Sequence, residues 1–474
     1  MEDLHRQAES LARRIEENNR WRQQECFNLI PSEMTPSLLV KMCEISDPAG
    51  RYAEHRMLKG RTVYFYQGTD FIRDIEDEAR KQIGAFLGCE HVELRPISGQ
   101  MANEIVFKAL MKSLRESDHG SLRRLRAVMN HTLNRGGHLS CQPMGGLFNK
   151  VEVDAASQAE HVIAIPVLAD NPYKADIEKM KERIAEHRPE LIIFGKSMFL
   201  YPEPVQDVAA FVETLDYPHL VMYDMAHVLG LYGAFQSPLQ EGAHIITGST
   251  HKTFYGPQRG IVAGREHKGW DTLWPQINTF SCPGSTSNHH LGTLLALLMA
   301  AYEMNAFKAA YQTQVQGNAR AFAGYLHDAG MDVEGDPADG YTQTHQVVVR
   351  VSRYGAGEEI ARRLEDNNII ANYQALPDDT SFLRSSGIRM GVQEMTRFGM
   401  VEDDFEVLAG FIAEVVKQDA HVKEKVRQYR QNFLEMRFVL SYKEAAPIAA
   451  GILQSMLPDS DHAKAFADAL TKPG

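Results

Sequence analysis

A lysine at the carboxyl end of a buried strand is out of place as a solubilising charge. Lys252 stands there, after the apolar pair Ile245-Ile246 and inside Gly248-Ser249-Thr250-His251-Lys252-Thr253-Phe254-Tyr255-Gly256-Pro257. In a polar pocket at a strand end, a partly desolvated ε-amine loses its proton and condenses with an aldehyde. Upstream, Leu220-Val221-Met222-Tyr223-Asp224-Met225-Ala226-His227 is a second apolar strand, and it ends in an acid. Acid first and lysine later, each at a strand end, suit pyridoxal phosphate, whose pyridinium nitrogen needs a carboxylate to stay protonated and electron-withdrawing. Taken alone, Lys252 reads better as a surface lysine in a turn; the ordered pair carries the assignment.

Other groups fit the same chemistry. Ser98-Gly99-Gln100 precedes a helix expected from Glu104, and such a turn offers backbone N–H and hydroxyl donors to a phosphate. In Asn134-Arg135-Gly136-Gly137-His138 two glycines let the backbone approach a ligand while the imidazole lies on a ring. Arg389, inside the apolar strand Gly387-Ile388-Arg389-Met390-Gly391, is costly to bury unless a carboxylate meets it, which makes it the candidate fork for an amino acid's α-carboxylate. The stretch from Arg51-Tyr52-Ala53-Glu54-His55 to Tyr64-Phe65-Tyr66-Gln67-Gly68 reads either as an aromatic loop under the next helix or as a source of a phenol and a proton-transfer carboxylate.

The elements that must position these residues follow from periodicity. Between 160 and 265, short apolar strands (Val162 to Ile165, Leu191 to Phe194, Leu220 to Tyr223, Ile245-Ile246, Gly260 to Ala263) alternate with helical segments. This pattern predicts a mostly parallel sheet covered on both faces, with ligands past the carboxyl ends of its strands. Ser197, Asp224, His227 and Lys252 then share one rim. Helices are predicted over 72–87, 291–303, 309–326, 404–416, 419–436 and about 444–470, with strands at 346–351, 369–370 and 387–391. Residues 1–28 read as a helical arm.

The chain has 474 residues, 44% of them apolar and 24% charged, values ordinary for a globular enzyme. Lys+Arg 50 against Asp+Glu 62 gives a net charge of −12, which argues against nucleic acid or an anionic membrane as a partner. The five cysteines lack CxxC spacing, so neither a disulfide framework nor a metal site is expected. No apolar signal segment or bilayer-length run is seen, and a cytoplasmic location is the expectation. Ser249-Thr250-His251-Lys252 fits S-x-x-K without the elements that complete a penicillin-recognising site. Gly195-Lys196-Ser197 lacks the first glycine of a phosphate loop because Glu190 holds that position. His289-His290 reads as a loop or helix-end pair.

Over roughly residues 20–416 the ordered motifs resemble the serine hydroxymethyltransferase branch of fold-type-I pyridoxal enzymes. They are Leu29-Ile30-Pro31-Ser32-Glu33, Tyr52-Ala53-Glu54, Ser98-Gly99-Gln100-Met101-Ala102-Asn103, Gly136-Gly137-His138-Leu139, Asp224-Met225-Ala226-His227, Thr250-His251-Lys252-Thr253 and Ser386-Gly387-Ile388-Arg389. The resemblance implies an α/β, aspartate-aminotransferase-like fold, with a large domain (29–305) built on a mostly parallel seven-stranded sheet. A small C-terminal domain (306–416) and a helical extension (417–474) would follow. It implies that Lys252 forms the Schiff base, Asp224 pairs with the ring nitrogen, and His138 stacks on the ring. Ser98, Gly99 and Gln100 would hold the phosphate, with further cofactor contacts from Tyr52, Ser197, His227, Ser249, His251 and Gly284. Arg389 with Ser32 and Tyr64 or Tyr66 would bind the substrate, and Glu54 would be the proton-transfer acid of a neighbouring subunit in a homodimer with shared sites.

Some positions depart from that family's pattern: Gln258 separates Pro257 from Arg259, Cys282 to Asn288 replaces the glycine-rich loop, and Thr342-Gln343-Thr344-His345-Gln346 and Gln374 differ from its folate-side residues. The departures argue against tetrahydrofolate and look more like the folate-independent threonine transaldolases. The expected activity is therefore Cα–Cβ cleavage and formation in β-hydroxy-α-amino acids through a glycyl quinonoid, with the glycyl unit passed to an aldehyde. The alternatives are tetrahydrofolate-dependent serine or α-methylserine hydroxymethyl transfer, and a non-catalytic scaffold that would have lost Lys252, Asp224 or Arg389.

Overall fold

Strands that are apolar at every position must be covered on both faces. Leu191–Gly195, Leu220–Asp224, Ile245–Ser249 and Gly260–Gly264 are each buried from end to end. In the computed structural model, which describes residues 2–117, 124–155, 157–380, 385–457, 461 and 465, they form the centre of a seven-stranded sheet. Its order is His91–Glu93, Gly260–Gly264, Ile245–Ser249, Leu220–Asp224, Leu191–Gly195, Val128–Asn130, Val162–Ala164. Gly260–Gly264 runs antiparallel to both neighbours, and the remaining pairings are parallel.

One face of the sheet meets the helices Gly99–Ser117 and Leu273–Ser281. Alternate strand residues Leu191, Ile193, Leu220, Met222, Ile245 and Val262 share a buried cluster with Ile105, Val106, Leu110 and Ile277. Each such side chain contributes about 1.5–3 kcal/mol on burial, enough to fix where the strand ends fall.

By its contacts the chain gathers into two compact units, Met34–Gln312 with Phe438–Gly474, and Met1–Glu33 with Thr313–Arg437. The first carries the large sheet. The second holds a four-stranded antiparallel sheet in the order Asp332–Val333, Gln346–Arg350, Gly387–Gly391, Asn372–Gln374. In it Phe27–Asn28 pairs in parallel with Ile369–Ile370, which ties the amino-terminal segment to that unit. The preceding helix Glu2–Arg20 leaves Leu4, Leu11 and Ile15 exposed.

Several expectations change. The phosphate-turn helix begins at Gly99, not Glu104, so the Ser-Gly-Gln turn is its first turn. Two helices expected over 291–303 and 309–326 are one helix, Leu291–Asp328, because the polar break at Asn305 falls on the face that bonds Gln82. The aromatic stretch is a hairpin, His55–Leu58 against Arg61–Tyr64, turned at Lys59 and Gly60. Both turn residues have positive φ, 50° and 74°, the conformation a tight two-residue turn requires. The tail helix expected over 419–436 shortens to Lys423–Arg430. A last helix, Tyr442–Met456, packs Ala445 and Ala449 on Leu39, and the rest of the expected 444–470 helix lies largely outside the described residues.

Candidate functional site

The carboxyl ends of the parallel strands gather the chemically distinctive groups of the larger unit. Asp224 closes its strand and is 2% exposed. One of its oxygens, Oδ1, accepts the Ala226 N–H at 2.9 Å. The other, Oδ2, accepts Asn103 Nδ2 at 2.8 Å and the Cys141 thiol at 3.6 Å. Burial, then the neighbouring Asp224, pushes that thiol well above its ordinary range, so it stays a neutral donor. Asn103 is itself fixed by Thr247, whose hydroxyl donates to Asn103 Oδ1 at 2.5 Å from the adjacent strand. His138 Nδ1 lies 3.4 Å from Asp224 Oδ2 and is hydrogen-bonded to Ser140, and its ring meets His227 edge-on at 6.0 Å.

Lys252 lies three residues beyond the strand Ile245–Ser249 and is 7% exposed. Its neighbour Thr253 is a staple: the hydroxyl donates to His227 O at 3.0 Å and accepts the Gly230 N–H at 3.0 Å. The loop after Asp224 and the loop bearing Lys252 are therefore held together. Burial, and then the Lys252 charge, lower His251 to about 4, so the imidazole is neutral at physiological pH.

The anion cradle is the start of the helix Gly99–Ser117. Ser98 caps it, its hydroxyl accepting the Met101 N–H at 3.1 Å. The first-turn N–H groups of Gly99 and Gln100 point out along the axis, where the helix dipole favours a phosphate. Gly99 abuts the Ser249 hydroxyl so closely that a Cβ there would collide with it. Ser197 completes the rim, its backbone N–H donating to Gly136 O at 2.6 Å. A buried amine, a buried carboxylate one strand away and an N-terminal helix turn form a donor set that fits pyridoxal phosphate.

The remaining predicted residues fall into two other groups. Tyr52 stacks at a tilt on Tyr66 with ring centres 5.4 Å apart, and both are exposed. Glu54, half-buried, faces Arg56 at 3.9 Å. Their segment runs beside the loop of Gly284, since Asn288 Nδ2 donates to Arg51 O at 3.3 Å. The Tyr64 hydroxyl is turned inward and donates to Glu76 Oε2 at 3.0 Å. In the smaller unit, Arg389 is enclosed in its strand, and burial pushes its guanidinium down to about 10, still charged at neutral pH. Ser32 belongs to the same unit, where Gly391 N–H donates to Leu29 O at 2.8 Å.

Sequence reasoning assigned no role to several residues. Asn103 lies one turn after Gly99, a spacing that could have flagged it. Glu76, buried, sits 3.0 Å from His289 and 3.6 Å from His55, pinning the hairpin and the loop after Gly284. Behind Gly137, the buried Glu203 bonds His131 at 2.9 Å and pairs with Lys196. Arg259, displaced one position by Gln258, is fully buried and donates to His290 O at 2.9 Å and Thr293 Oγ1 at 2.8 Å. A cavity of about 770 Å³ beneath the last helix, lined by Phe71, Leu295, Met299 and Ile452, contains none of the candidate groups.

Comparison with known proteins bears on this arrangement. The serine hydroxymethyltransferase family matches residues 4–412. A serine hydroxymethyltransferase of Pyrobaculum aerophilum is 39% identical over 439 residues, covering 92% of this chain and 95% of the relative. One of Sulfolobus acidocaldarius is 33% identical over 468 residues, covering 96% and 100%. Among solved structures, L-threonine transaldolase of Pseudomonas fluorescens in its internal aldimine state superposes with a TM-score of 0.81 at 25% identity, covering 96% of this chain and 100% of that one.

Proposed function

Because the chain belongs to the serine hydroxymethyltransferase family of pyridoxal-phosphate-dependent transferases, we propose that it breaks and makes the Cα–Cβ bond of β-hydroxy-α-amino acids, with serine as donor and tetrahydrofolate as one-carbon acceptor. The departures in the sequence put folate-free exchange first. Relatives sharing 33–39% identity carry the hydroxymethyltransferase name, against 25% for the transaldolase, and that weight reverses the order. What supports the reading is that buried Asp224 ends one parallel strand and buried Lys252 follows three residues after the end of its neighbour.

Bound pyridoxal phosphate supplies an aldehyde for the amino group and a sink for the electrons of the broken bond. The chain's own residues do the rest. Lys252 would hold the cofactor through its amine. Asp224, steadied by Asn103 and Cys141, keeps a proton on the ring nitrogen. His138 covers the ring, and Ser98, Gly99 and Gln100 hold the phosphate, with Ser197, His227, Ser249 and His251 lining the rim. Arg389 and Ser32 would bind the amino acid's α-carboxylate. Glu54 moves the proton of the β-hydroxyl.

A second copy of the chain is proposed to complete each site with Tyr52, Glu54, Tyr66 and Gly284. The exposed apolar side chains of the hairpin region (Met57, Leu58, Val63, Phe65) and of the first helix support this. Folate-independent transfer of the glycyl unit from threonine to an aldehyde is the second reading, favoured by Gln258, Gln374 and the Thr342 to Gln346 stretch.

The test is product analysis with purified holoenzyme: L-serine with and without tetrahydrofolate, and L-threonine with an aromatic aldehyde. Glycine formation from serine that requires tetrahydrofolate is expected. A new β-hydroxy amino acid from threonine and the aldehyde, with no folate requirement, supports the second reading. Lys252→Ala should abolish turnover and the borohydride-sensitive visible absorption; normal turnover in that variant refutes both readings.

A further inference from the structure

The helix Asp70–Leu87 turns inward a stripe at helical spacing, Ile72, Glu76, Ala79, Ile83 and Phe86, in which one slot holds a carboxylate. Glu76 is fully buried, and an apolar side chain in that slot would avoid the cost of desolvating a charge. Its two oxygens serve different segments. Oε2 accepts the Tyr64 hydroxyl at 3.0 Å and lies 3.6 Å from His55 Nε2. Oε1 lies 3.0 Å from His289 Nε2 and 3.7 Å from the Arg80 guanidinium. Burial opposes ionisation, but His289, Arg80 and His55 hold the carboxyl well below the ordinary carboxylate range, so the group stays charged.

His55 and Tyr64 stand directly opposite each other in the hairpin, their ring centres 4.6 Å apart. This rung is the buried end of the hairpin, and every other position of its two strands is exposed. A two-stranded hairpin is marginal by itself, so its direction is set where it is held. Arg95 adds to the hold, its Nη1 donating to His55 O at 3.4 Å. The ladder runs one bond further, from the Phe65 N–H to Glu54 O at 3.0 Å. Successive strand side chains alternate faces, so holding His55 and Tyr64 inward turns Glu54 and Phe65 to the other side. There Arg56 meets both, 3.9 Å from the Glu54 carboxylate and 5.8 Å over the Phe65 ring. His289 brings the loop after Gly284 to the same carboxylate, and Arg259 secures that loop by donating to His289 O at 2.6 Å.

We propose that Glu76 is a positioning residue for proton transfer: by gripping the rung next to Glu54 it sets where the Glu54 carboxyl points, with Tyr64 as its anchor and not as a substrate ligand. The inference rests on the proposed role of Glu54. A misplacement of about 1 Å in a reacting group costs on the order of a hundredfold in rate, and a hairpin held at one rung has little else to prevent it. The carboxylate is suited to the task because both of its oxygens accept, one toward the hairpin and one toward His289 and Arg80. An amide has a single acceptor oxygen and can serve only one of those sides.

The experiment is a double-mutant cycle on purified holoenzyme, assayed with whichever substrate pair the parent turns over: parent, Glu76→Gln, Glu54→Gln and the double variant. Glu76→Gln should lower kcat about tenfold or more, with the KM for the amino acid within about threefold and the visible absorption retained. In the Glu54→Gln background the same change should cost less than about twofold. Tyr64→Phe should show the same dependence on Glu54 at smaller size. An equal fold-loss in both backgrounds, a kcat unchanged by Glu76→Gln, or a raised KM in Tyr64→Phe would overturn the inference. If Glu54→Gln itself keeps the parent's kcat, the role of Glu54 fails and the inference with it; a slow Glu54→Gln beside a normal Glu76→Gln defeats the inference alone. Should Glu76→Gln lose the parent's circular dichroism, the cycle of Tyr64→Phe with Glu54→Gln decides.

Discussion

Replacing Glu203 by glutamine should destabilise the larger unit out of proportion to the single atom changed. Glu203 and Lys196 are each 3% exposed and form an ion pair; Lys196 Nζ also donates to Tyr173 O at 3.2 Å. Burial opposes ionisation of Glu203, but His131 and Lys196 hold its carboxyl down to about 2. Burial pushes His131 down from 6.5, so the ring is neutral at pH 7 and donates Nε2–H to Glu203. The charge that balances Lys196 is therefore the carboxylate. At about 3 Å and an effective dielectric near 20, such a pair is worth on the order of 5 kcal/mol before desolvation. Breaking a buried pair from one side costs about 3–5 kcal/mol, because the other charge stays buried.

Glu203→Gln should lose about that much in urea unfolding at pH 7, whereas Lys196→Met with Glu203→Gln, which removes the stranded charge and keeps an acceptor for His131, should recover most of it. The loop of His138 should loosen as well: His131 O accepts Gln142 Nε2 at 2.8 Å and abuts Gly137, next to His138. The acid dependence follows. A depressed folded-state value means the contribution is full above the ordinary carboxylate value of 4.5 and fades as pH falls toward about 2. A single variant within about 0.5 kcal/mol of the parent, or a double variant no better than the single, would refute the reasoning.

Gly99→Ala drives a methyl into the Ser249 hydroxyl, so it should weaken pyridoxal phosphate binding at least tenfold while leaving the circular dichroism unchanged; fluorescence titration of the apoenzyme checks this. If Arg389 binds the α-carboxylate as proposed, Arg389→Lys would lose a two-pronged grip and should raise the KM for the amino acid about tenfold to a hundredfold with the visible absorption retained. Asn103→Ala removes a donor to buried Asp224, worth about 1–3 kcal/mol, and should cut kcat about tenfold or more. His251 is lowered from 6.5 to about 4, chiefly by burial, so the folded state binds fewer protons than the unfolded one between those values. Melting temperature should fall as pH drops from 6.5 toward 4, and His251→Gln should flatten that slope.

The apolar strands and the residues at their ends were legible because a strand buried on both faces leaves no polar positions to confuse its period. Asp224 stands out as the acid that ends one such run, and Lys252 as the cation six residues after the apolar pair Ile245-Ile246 of another. What sequence missed lies in partners distant along the chain. Glu203 meets His131 across 72 residues, and Glu76 meets His289 across a wider gap, so no local spacing marks either. The hairpin at Lys59-Gly60 was masked by a tyrosine-rich stretch that reads as a loop, and the early start of the Gly99 helix by the poor helix propensity of its first residue.

The helix Gly99–Ser117 would serve both ends of the proposed cofactor: its first turn offers N–H donors to a phosphate, and Asn103, one turn further, grips Asp224, the proposed partner of the ring nitrogen. About 6 Å of rigid helix separates the two points. On the proposed reading that spacing would act as a gauge of cofactor length, and a ring bearing a shorter or longer anionic arm would satisfy one contact only by abandoning the other.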